Sequence, residues 1–294
     1  AQEWRAARRR AVAWEQEGRE SSVAALREDG LAFAVGGKVD GNAKLDAGTQ
    51  VMAGLLGLAL HKAPRRVLVI GMGTGSTAGW LAAAPEIERV DVVEIEPAVL
   101  RFAAGCDAVN QGALRSPKLR ILVGDAREVL ATTAERYDLI FSEPSNPYRA
   151  GIASLFTQDF YRAVERRLRP GGLLLQWVQA YDVDLESLRG VYATLRSALP
   201  EVETWQPQVG DLLLVASQAP LAYDGEVLRR RLARPPLPLA MEKVWRSAGV
   251  EGLVAHLLAR APFARRFTQG AADLVSTDDL NLMEFAFARG AGTH

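Results

Sequence analysis

The stretch "VLVIGMGTGSTAGWLA", residues 67–82, runs four apolar residues into a turn with glycines at 71, 73 and 75, then into a segment of helical character. A strand apolar at every position is buried on both faces. Glycines permit a tight turn and close approach of the backbone to a ligand, and the helix start offers free N–H groups at the same point. Outward from this unit the alternation repeats. Downstream come strand "RVDVVEI", helix "PAVLRFAAG", strand "LRILVGD", helix "AREVLATT" and strand "YDLIFSE", and upstream lies the helix "TQVMAGLLGLAL". A helix near "TQDFYRAVERRL" stops at "RPGG" before strand "LLLQWVQ", and "DLESLRGVYATLRSAL" and "DLLLVAS" continue the series, the last near the sheet edge. Such alternation predicts an α/β fold, a parallel sheet covered on both faces.

Residues 1–50 read as a helical or extended lead-in followed by short strands at "SSVAALRE", "LAFAVGG" and "KVDGN", a small β appendage. Residues 51–220 form the sheet domain. From 221 to 294 the composition shifts to Arg, Ala and Pro, and the connector "ARPPLPLA" leads into a helical extension.

The chain has 294 residues, 49% of them hydrophobic, which is ample for a core. Lys plus Arg and Asp plus Glu number 35 each, so no global field favours nucleic acid. One cysteine, Cys106, excludes an internal disulfide framework and suits a reducing compartment, and three dispersed histidines give no metal site. "LLGLAL" is far short of the roughly 20 residues of a membrane span, and no signal peptide is visible, so the expectation is cytoplasmic. A first residue other than Met gives the expectation of a chain processed or excised from something longer.

Chemistry-bearing residues fall at successive strand ends. The turn reads G-x-G-x-G and has Ser76 where the dinucleotide fingerprint G-x-G-x-x-G has its third glycine. The next strand ends in Glu94, placed to accept both hydroxyls of a ribose, with Glu96 as an alternative that reads more simply as a helix start. The third strand ends at Asp125 and Ala126, within reach of an adenine amino group. Ligands of open α/β sheets bind along that edge, and these residues read as a nucleoside site, against a plainer set of turns and caps. No basic residue stands in the turn, which favours a neutral or cationic nucleoside over a phosphate-rich one. In "YDLIFSEPSNPYRAG", residues 137–151, Glu143 ends the fourth strand, where it can pair with a cation, orient an amine or take its proton, or cap the following turn. Asn146 and Tyr148 supply neutral polar groups to that loop. Gln176, Gln179 and Tyr181 are placed on the acceptor side and Trp177 in the core. In "STDDLNLMEF", Asp278 and Asp279 read as an N-cap and a first-turn acid, against a grip on a cationic substrate.

Together, "VLVIGMGTGSTAGW", "VDVVEIEPAVL", "GDAREVL" and "YDLIFSEPSNPYRAGIASLFTQDFYRAVERRLRPGGLLLQW" resemble the spermidine synthase family, the polyamine aminopropyltransferases. The likeness runs from about residue 20 to 217 and is closer to the bacterial spermidine synthase-like branch, some of whose members carry an N-terminal multi-span membrane region. The resemblance implies a small N-terminal β domain on a Rossmann-like, methyltransferase-type domain, and a homodimer. It assigns Glu94 to the ribose, Asp125 to the adenine and the Gly71, Gly73 and Gly75 turn to the sulfonium side of the donor. Departures fall on the reacting half. Thr74 stands where the family has an Asp that contacts the aminopropyl amine of decarboxylated S-adenosylmethionine. Glu143-Pro144-Ser145-Asn146-Pro147 replaces Asp-Ser-Ser-Asp-Pro, whose first Asp helps deprotonate the attacking amine. Gln50 and Met52 replace a Tyr and a Glu on the acceptor side.

The resulting expectation is a transferase using S-adenosylmethionine or its decarboxylated form, moving an aminopropyl-type group to a small amine with Glu143 as base or amine-orienting group, and using no metal. Methyl transfer on the same fold is the second reading, favoured by Thr74. A non-catalytic nucleoside sensor, cut from a membrane-anchored parent, is the third.

Overall fold

The computed structural model describes residues 11–27, 32–144, 151–181 and 183–284. Four antiparallel strands come first, β1 (Val12–Glu17), β2 (Ser22–Leu26), β3 (Ala32–Val35) and β4 (Lys38–Asn42), paired in chain order as a meander. The segment read as a helical or extended lead-in is therefore strand β1 over most of its described length. The turn α1 (Ala47–Gln50) leads into α2 (Met52–Leu60), every residue of which is buried. A helix apolar all round has no solvent face to offer, and α2 lies inside the molecule accordingly.

The main sheet follows from β5 (Arg66–Ile70), α3 (Ser76–Ala83), β6 (Arg89–Glu94), α4 (Pro97–Ala104), β7 (Leu119–Val123), α5 (Ala126–Thr132), β8 (Tyr137–Ser142), α6 (Gln158–Arg167), β9 (Leu168–Gln179) and α7 (Leu185–Arg196). Then come β10 (Glu201–Gln208), β11 (Asp211–Ser217), α8 (Gly225–Leu232), α9 (Leu237–Ala240), α10 (Gly249–Val254), β12 (Leu257–Ala259) and α11 (Ala261–Phe267). The strand order is β12-β10-β11-β9-β8-β5-β6-β7. Strands β7, β6, β5, β8 and β9 are parallel, as the alternation predicts. Beyond β9 the sheet turns antiparallel through β11, β10 and β12. Strand β10, "EVETWQPQ", is absent from the sequence reading because its polar residues and its proline mask the pattern, and β12 comes from the tail expected to be helical.

Apolar cores lie on both faces. Helices α2 and α3 pack on one with Leu228 and Leu232 of α8, and α5, α6 and α7 cover the other. Arg231 of α8 donates to the carbonyls of Ala59 and Leu60 at 3.0 and 3.1 Å, satisfying the otherwise orphaned end of α2. Among the described residues no helix is long and apolar enough to cross a membrane.

The turn after β5 is set by backbone crowding. Gly71 has φ of +95°, and a Cβ there would lie 2.8 Å from the carbonyl oxygen of Glu143. Its N–H donates to the carbonyl of Val93 at 2.9 Å, and the N–H of Glu143 donates to that of Ile70 at 3.2 Å, so three strand ends are stitched at one point. Gly71→Ala is expected to cost about 2–3 kcal/mol of stability, combining left-handed strain with the clash. Urea unfolding of the two proteins measures it, and a loss below about 0.5 kcal/mol would show that the turn is free to relax.

Candidate active site

A cavity of about 1010 Å³ opens at the carboxyl edge of the parallel strands. Four expected positions meet there, the Gly71–Gly73 turn, Glu94, Asp125 with Ala126, and Glu143, and Thr74, Gln50 and Tyr181 line it too. Gly75 starts α3 as its N-cap, with φ of +79°. Asn146 and Tyr148 lie outside the described residues.

Glu94 is buried and bridges two chain segments. One oxygen accepts from the N–H of Met72 at 2.8 Å and the other from that of Glu96 at 2.9 Å. Burial raises its pKa and these amides oppose the rise. Each carboxylate oxygen has a second lone pair, so both can still accept a hydroxyl of a cis-diol. Asp125 is the N-cap of α5 and accepts from the N–H of Arg127 at 2.6 Å, which fixes its carboxylate at the cavity wall. Glu96 belongs to a different task. Its oxygens accept from the N–H groups of Arg19, Glu20 and Ala98 at 2.7, 3.1 and 3.2 Å, pinning the loop after β1 to the start of α4. The N-terminal sheet thereby roofs the cavity with Phe33, whose ring meets that of Phe102 at 4.8 Å between centroids.

On the other side stands Glu143. The Thr77 hydroxyl lies 3.1 Å from its Oε2 and 2.5 Å from the carbonyl oxygen of Gln50. One hydroxyl proton cannot serve both acceptors. When it goes to the nearer carbonyl, Glu143 meets the hydroxyl as a protonated donor. Burial favours that form and pushes the pKa up to about 8, against the lowering contact with Thr77 and with help from the charges of Asp211, Asp46 and Asp40. Thr74 contacts Gln50 Oε1 and, at 2.9 Å, Ser76 Oγ, a neutral network.

The three aspartates were missed in the sequence. Asp46 accepts from the N–H of Asn42 at 2.7 Å in the bend before α1, and burial raises its pKa. Asp211 accepts from the Thr49 hydroxyl, and burial raises it likewise. It opens β11, which runs against β9, so its first residue pairs with Gln179 at the same edge where the parallel strands end. A rule that reads only carboxyl ends of strands does not find it. Trp177, expected in the core, lines the cavity, whereas Gln176, expected on the acceptor side, is fully buried and does not line it, its Nε2 donating to the Trp177 carbonyl at 3.0 Å. Alternation along β9 separates the two neighbours. Gln179 donates to the Tyr181 carbonyl at 2.9 Å and supports that loop.

Neither Asp278 nor Asp279 takes the expected N-cap place. Asn281 Oδ1 accepts from the Glu284 N–H at 3.3 Å, and Asp278 pairs with Arg127. Among the described residues no cluster of three His, Cys, Asp or Glu side chains could hold a metal ion.

The spermine/spermidine synthase domain matches residues 47–209, more than half of the chain. The chain belongs to this family. It is 34% identical to the polyamine aminopropyltransferase of Nitrosomonas europaea over 186 residues, 59% of this chain and 56% of that protein. It is 31% identical to putrescine N-methyltransferase 2 of Nicotiana attenuata over 134 residues, 45% of this chain and 36% of the other. The chain spans about half the length of the curated relatives it matches first. In fold it resembles a spermidine synthase crystallised with the transition state analogue AdoDATO, at a TM-score of 0.67 and 17% identity, covering 88% of this chain and 87% of that one. Besides Glu94, Asp125 and Glu143, the cavity is lined by the carboxylates of Glu20, Asp40, Asp46, Glu96 and Asp211.

An acid whose folded pKa exceeds its unfolded value contributes stability that is complete below the unfolded pKa and is lost as pH rises through the folded one. Glu143, ordinarily near 4.5 and here about 8, should therefore make the native protein weaker from pH 5 to 8.5. Glu143→Gln removes that dependence. The variant is expected to gain about 1–3 kcal/mol on wild type at pH 8.5 and little at pH 4.5, read from denaturant midpoints. Parallel curves for the two proteins would place the Glu143 pKa near its ordinary value.

Proposed function

We propose that this chain transfers an aminopropyl group from decarboxylated S-adenosylmethionine to a small amine that carries a second cationic group. The observation that carries the reading is Glu143, a half-buried carboxylate in the same cavity as Glu94 and Asp125, with Asp46 and Asp211 lining it too. Among the described residues the lining holds eight carboxylates against one lysine, Lys38. So unbalanced a wall is complementary to a sulfonium donor and an ammonium acceptor, and each close pairing in a partly dry site contributes on the order of 1 kcal/mol or more.

The fit of the donor follows from the geometry. Glu94 keeps lone pairs for the ribose hydroxyls, Asp125 stands at the adenine end, and the glycine turn lets the backbone approach the sulfonium side. The acceptor enters beside Gln50, Trp177 and Tyr181, with its far cation toward Asp46 and Asp211. Glu143, ionised, takes a proton from the near ammonium. The freed amine nitrogen forms a bond to the methylene carbon next to sulfur, the C–S bond breaks, its electron pair returns to sulfur, and methylthioadenosine leaves as a neutral thioether. Water exclusion by Phe33 and the N-terminal sheet strengthens the charge interactions that align the two substrates.

Methyl transfer stands second, because Thr74 puts a neutral group where a carboxylate would repel the carboxylate of intact S-adenosylmethionine. The product decides. Incubation with each donor and putrescine should release methylthioadenosine from the decarboxylated one, and S-adenosylhomocysteine from the intact one would reverse the order. Binding without any product would make the chain a sensor.

For the free enzyme, the kcat/KM profile should rise with pH through about 8 as Glu143 ionises. Glu143→Gln should lose at least 100-fold in kcat and flatten that limb while still binding methylthioadenosine. Asp211→Asn should raise the acceptor KM about tenfold with the donor KM unchanged. An unchanged acceptor KM would remove Asp211 from the acceptor side.

A further inference from the structure

The tail motif around Asp278 plays no part in the chemistry above, yet its side chain is tied to both walls of the nucleoside end. One carboxylate oxygen receives the Arg127 guanidinium, and the other accepts from the Thr157 hydroxyl at 2.7 Å. Its own N–H donates to Asp159 Oδ2 at 3.0 Å. Arg127 is the second residue of α5, directly after Asp125 and Ala126, and it reaches the Ser154 carbonyl at 3.4 Å. Thr157 lies 3.1 Å from that same carbonyl and caps α6. Asp125 and Ala126 line the cavity on one side of this network, and Gly151, Ile152, Ser154 and Leu155 on the other.

The tail is itself held firmly. The N–H of Gln158 donates to the Ser276 carbonyl at 2.8 Å, and the N–H of Ser276 donates to the Thr194 hydroxyl at 2.9 Å, both inside the protein. The Arg127 guanidinium pulls the Asp278 pKa below the usual carboxylate range, so the pair is charged across the working pH range. A bridge anchored this way sets the spacing between the turn at Asp125 and the segment 151–155, which belong to different elements and share no strand pairing.

We infer that Asp278 is a positioning residue for the donor, a latch that acts through Arg127 and Thr157 to hold the two walls of the nucleoside end at their binding separation. The inference rests on the nucleoside reading of the cavity. It explains why a polar segment remote in sequence closes onto α5, and it assigns to Asp278 an effect on the donor and none on the acceptor.

Titration calorimetry with methylthioadenosine tests it directly, without any need for turnover. Asp278→Asn is expected to weaken binding about tenfold, Asp278→Glu less, and the exposed neighbour Asp279→Asn not at all. In the double variant Arg127→Gln with Asp278→Asn the loss should be no larger than in the worse single, since both break one bridge. Donor KM should rise with kcat and acceptor KM unchanged, and the melting temperature should stay within about 3 °C of wild type. Binding of Asp278→Asn within twofold of wild type, losses that add in the double variant, or equal losses for Asn and Glu would each overturn the latch. If Asp278→Asn unfolds instead, the Arg127→Gln single carries the same expectation and the same refutation. Failure of the wild-type protein to bind methylthioadenosine would overturn the nucleoside reading itself, and the latch with it.

Discussion

The close approach of the Glu143 carbonyl to Gly71 is the constraint on which the site depends. Strands β5 and β8 are neighbours in the sheet, and the chain leaves both at one point, where only a residue without a side chain passes. The carbonyl of Val93 fastens the same turn to β6. The glycine turn, Glu94 and Glu143 are thus held in one cavity by backbone hydrogen bonds and contacts, which side-chain substitution leaves largely in place. Chemistry can vary on such a frame at modest cost to the fold, and Thr74 and Glu143 stand at positions of that kind.

Burial of Glu143 follows from that placement. A carboxylate at the end of a fully buried strand loses hydration, and three aspartates facing the same space oppose its ionisation further. The unoccupied protein therefore favours the neutral acid, and an incoming cation shifts the balance toward the carboxylate. The same charges that raise the pKa attract the ligand that lowers it again. A carboxylate held this way is most fully ionised when a positive ligand is near, which couples its charge to occupancy without a moving part.

The parallel half of the fold was legible because continuous apolar strands and glycine or acidic strand ends leave a pattern in one dimension. The meeting of Glu94 and Asp125 in one cavity was legible for the same reason, since Glu94 ends β6 and Asp125 follows β7 at the start of α5. Asp211 was not, because an antiparallel strand brings its beginning to the active edge, and nothing local to "VGDLLLVAS" states its direction. Asp46 was hidden in a bend whose conformation depends on Asn42, whose side chain accepts from the N–H groups of Lys44 and Leu45. Gln176 and Trp177 exchange faces through a single step of strand alternation, which the sequence leaves undetermined when both neighbours of a polar residue are apolar. Arg127 and Asp278 lie 151 residues apart, a distance no spacing rule crosses.

The division of charge in the cavity bears on how the family's chemistry is preserved here. Thr74 puts a neutral group next to the glycine turn, while Asp46 and Asp211 present carboxylates to the same cavity near α1 and β11. On the proposed reaction, these carboxylates lie toward the acceptor and a neutral group lies at the donor's tail. A donor binds in that arrangement chiefly through its nucleoside, so precise spacing of the nucleoside walls matters more than it would where a carboxylate gripped the aminopropyl amine. The proposed acceptor, by contrast, meets Asp46 and Asp211 and would be selected by the separation of its cations. In that proposal affinity for one substrate rests on geometry and for the other on electrostatics, which predicts that added salt weakens acceptor binding much more than donor binding. Initial rates at two salt concentrations, with KM resolved for each substrate, measure that asymmetry, and equal weakening of both would return the charge to the donor.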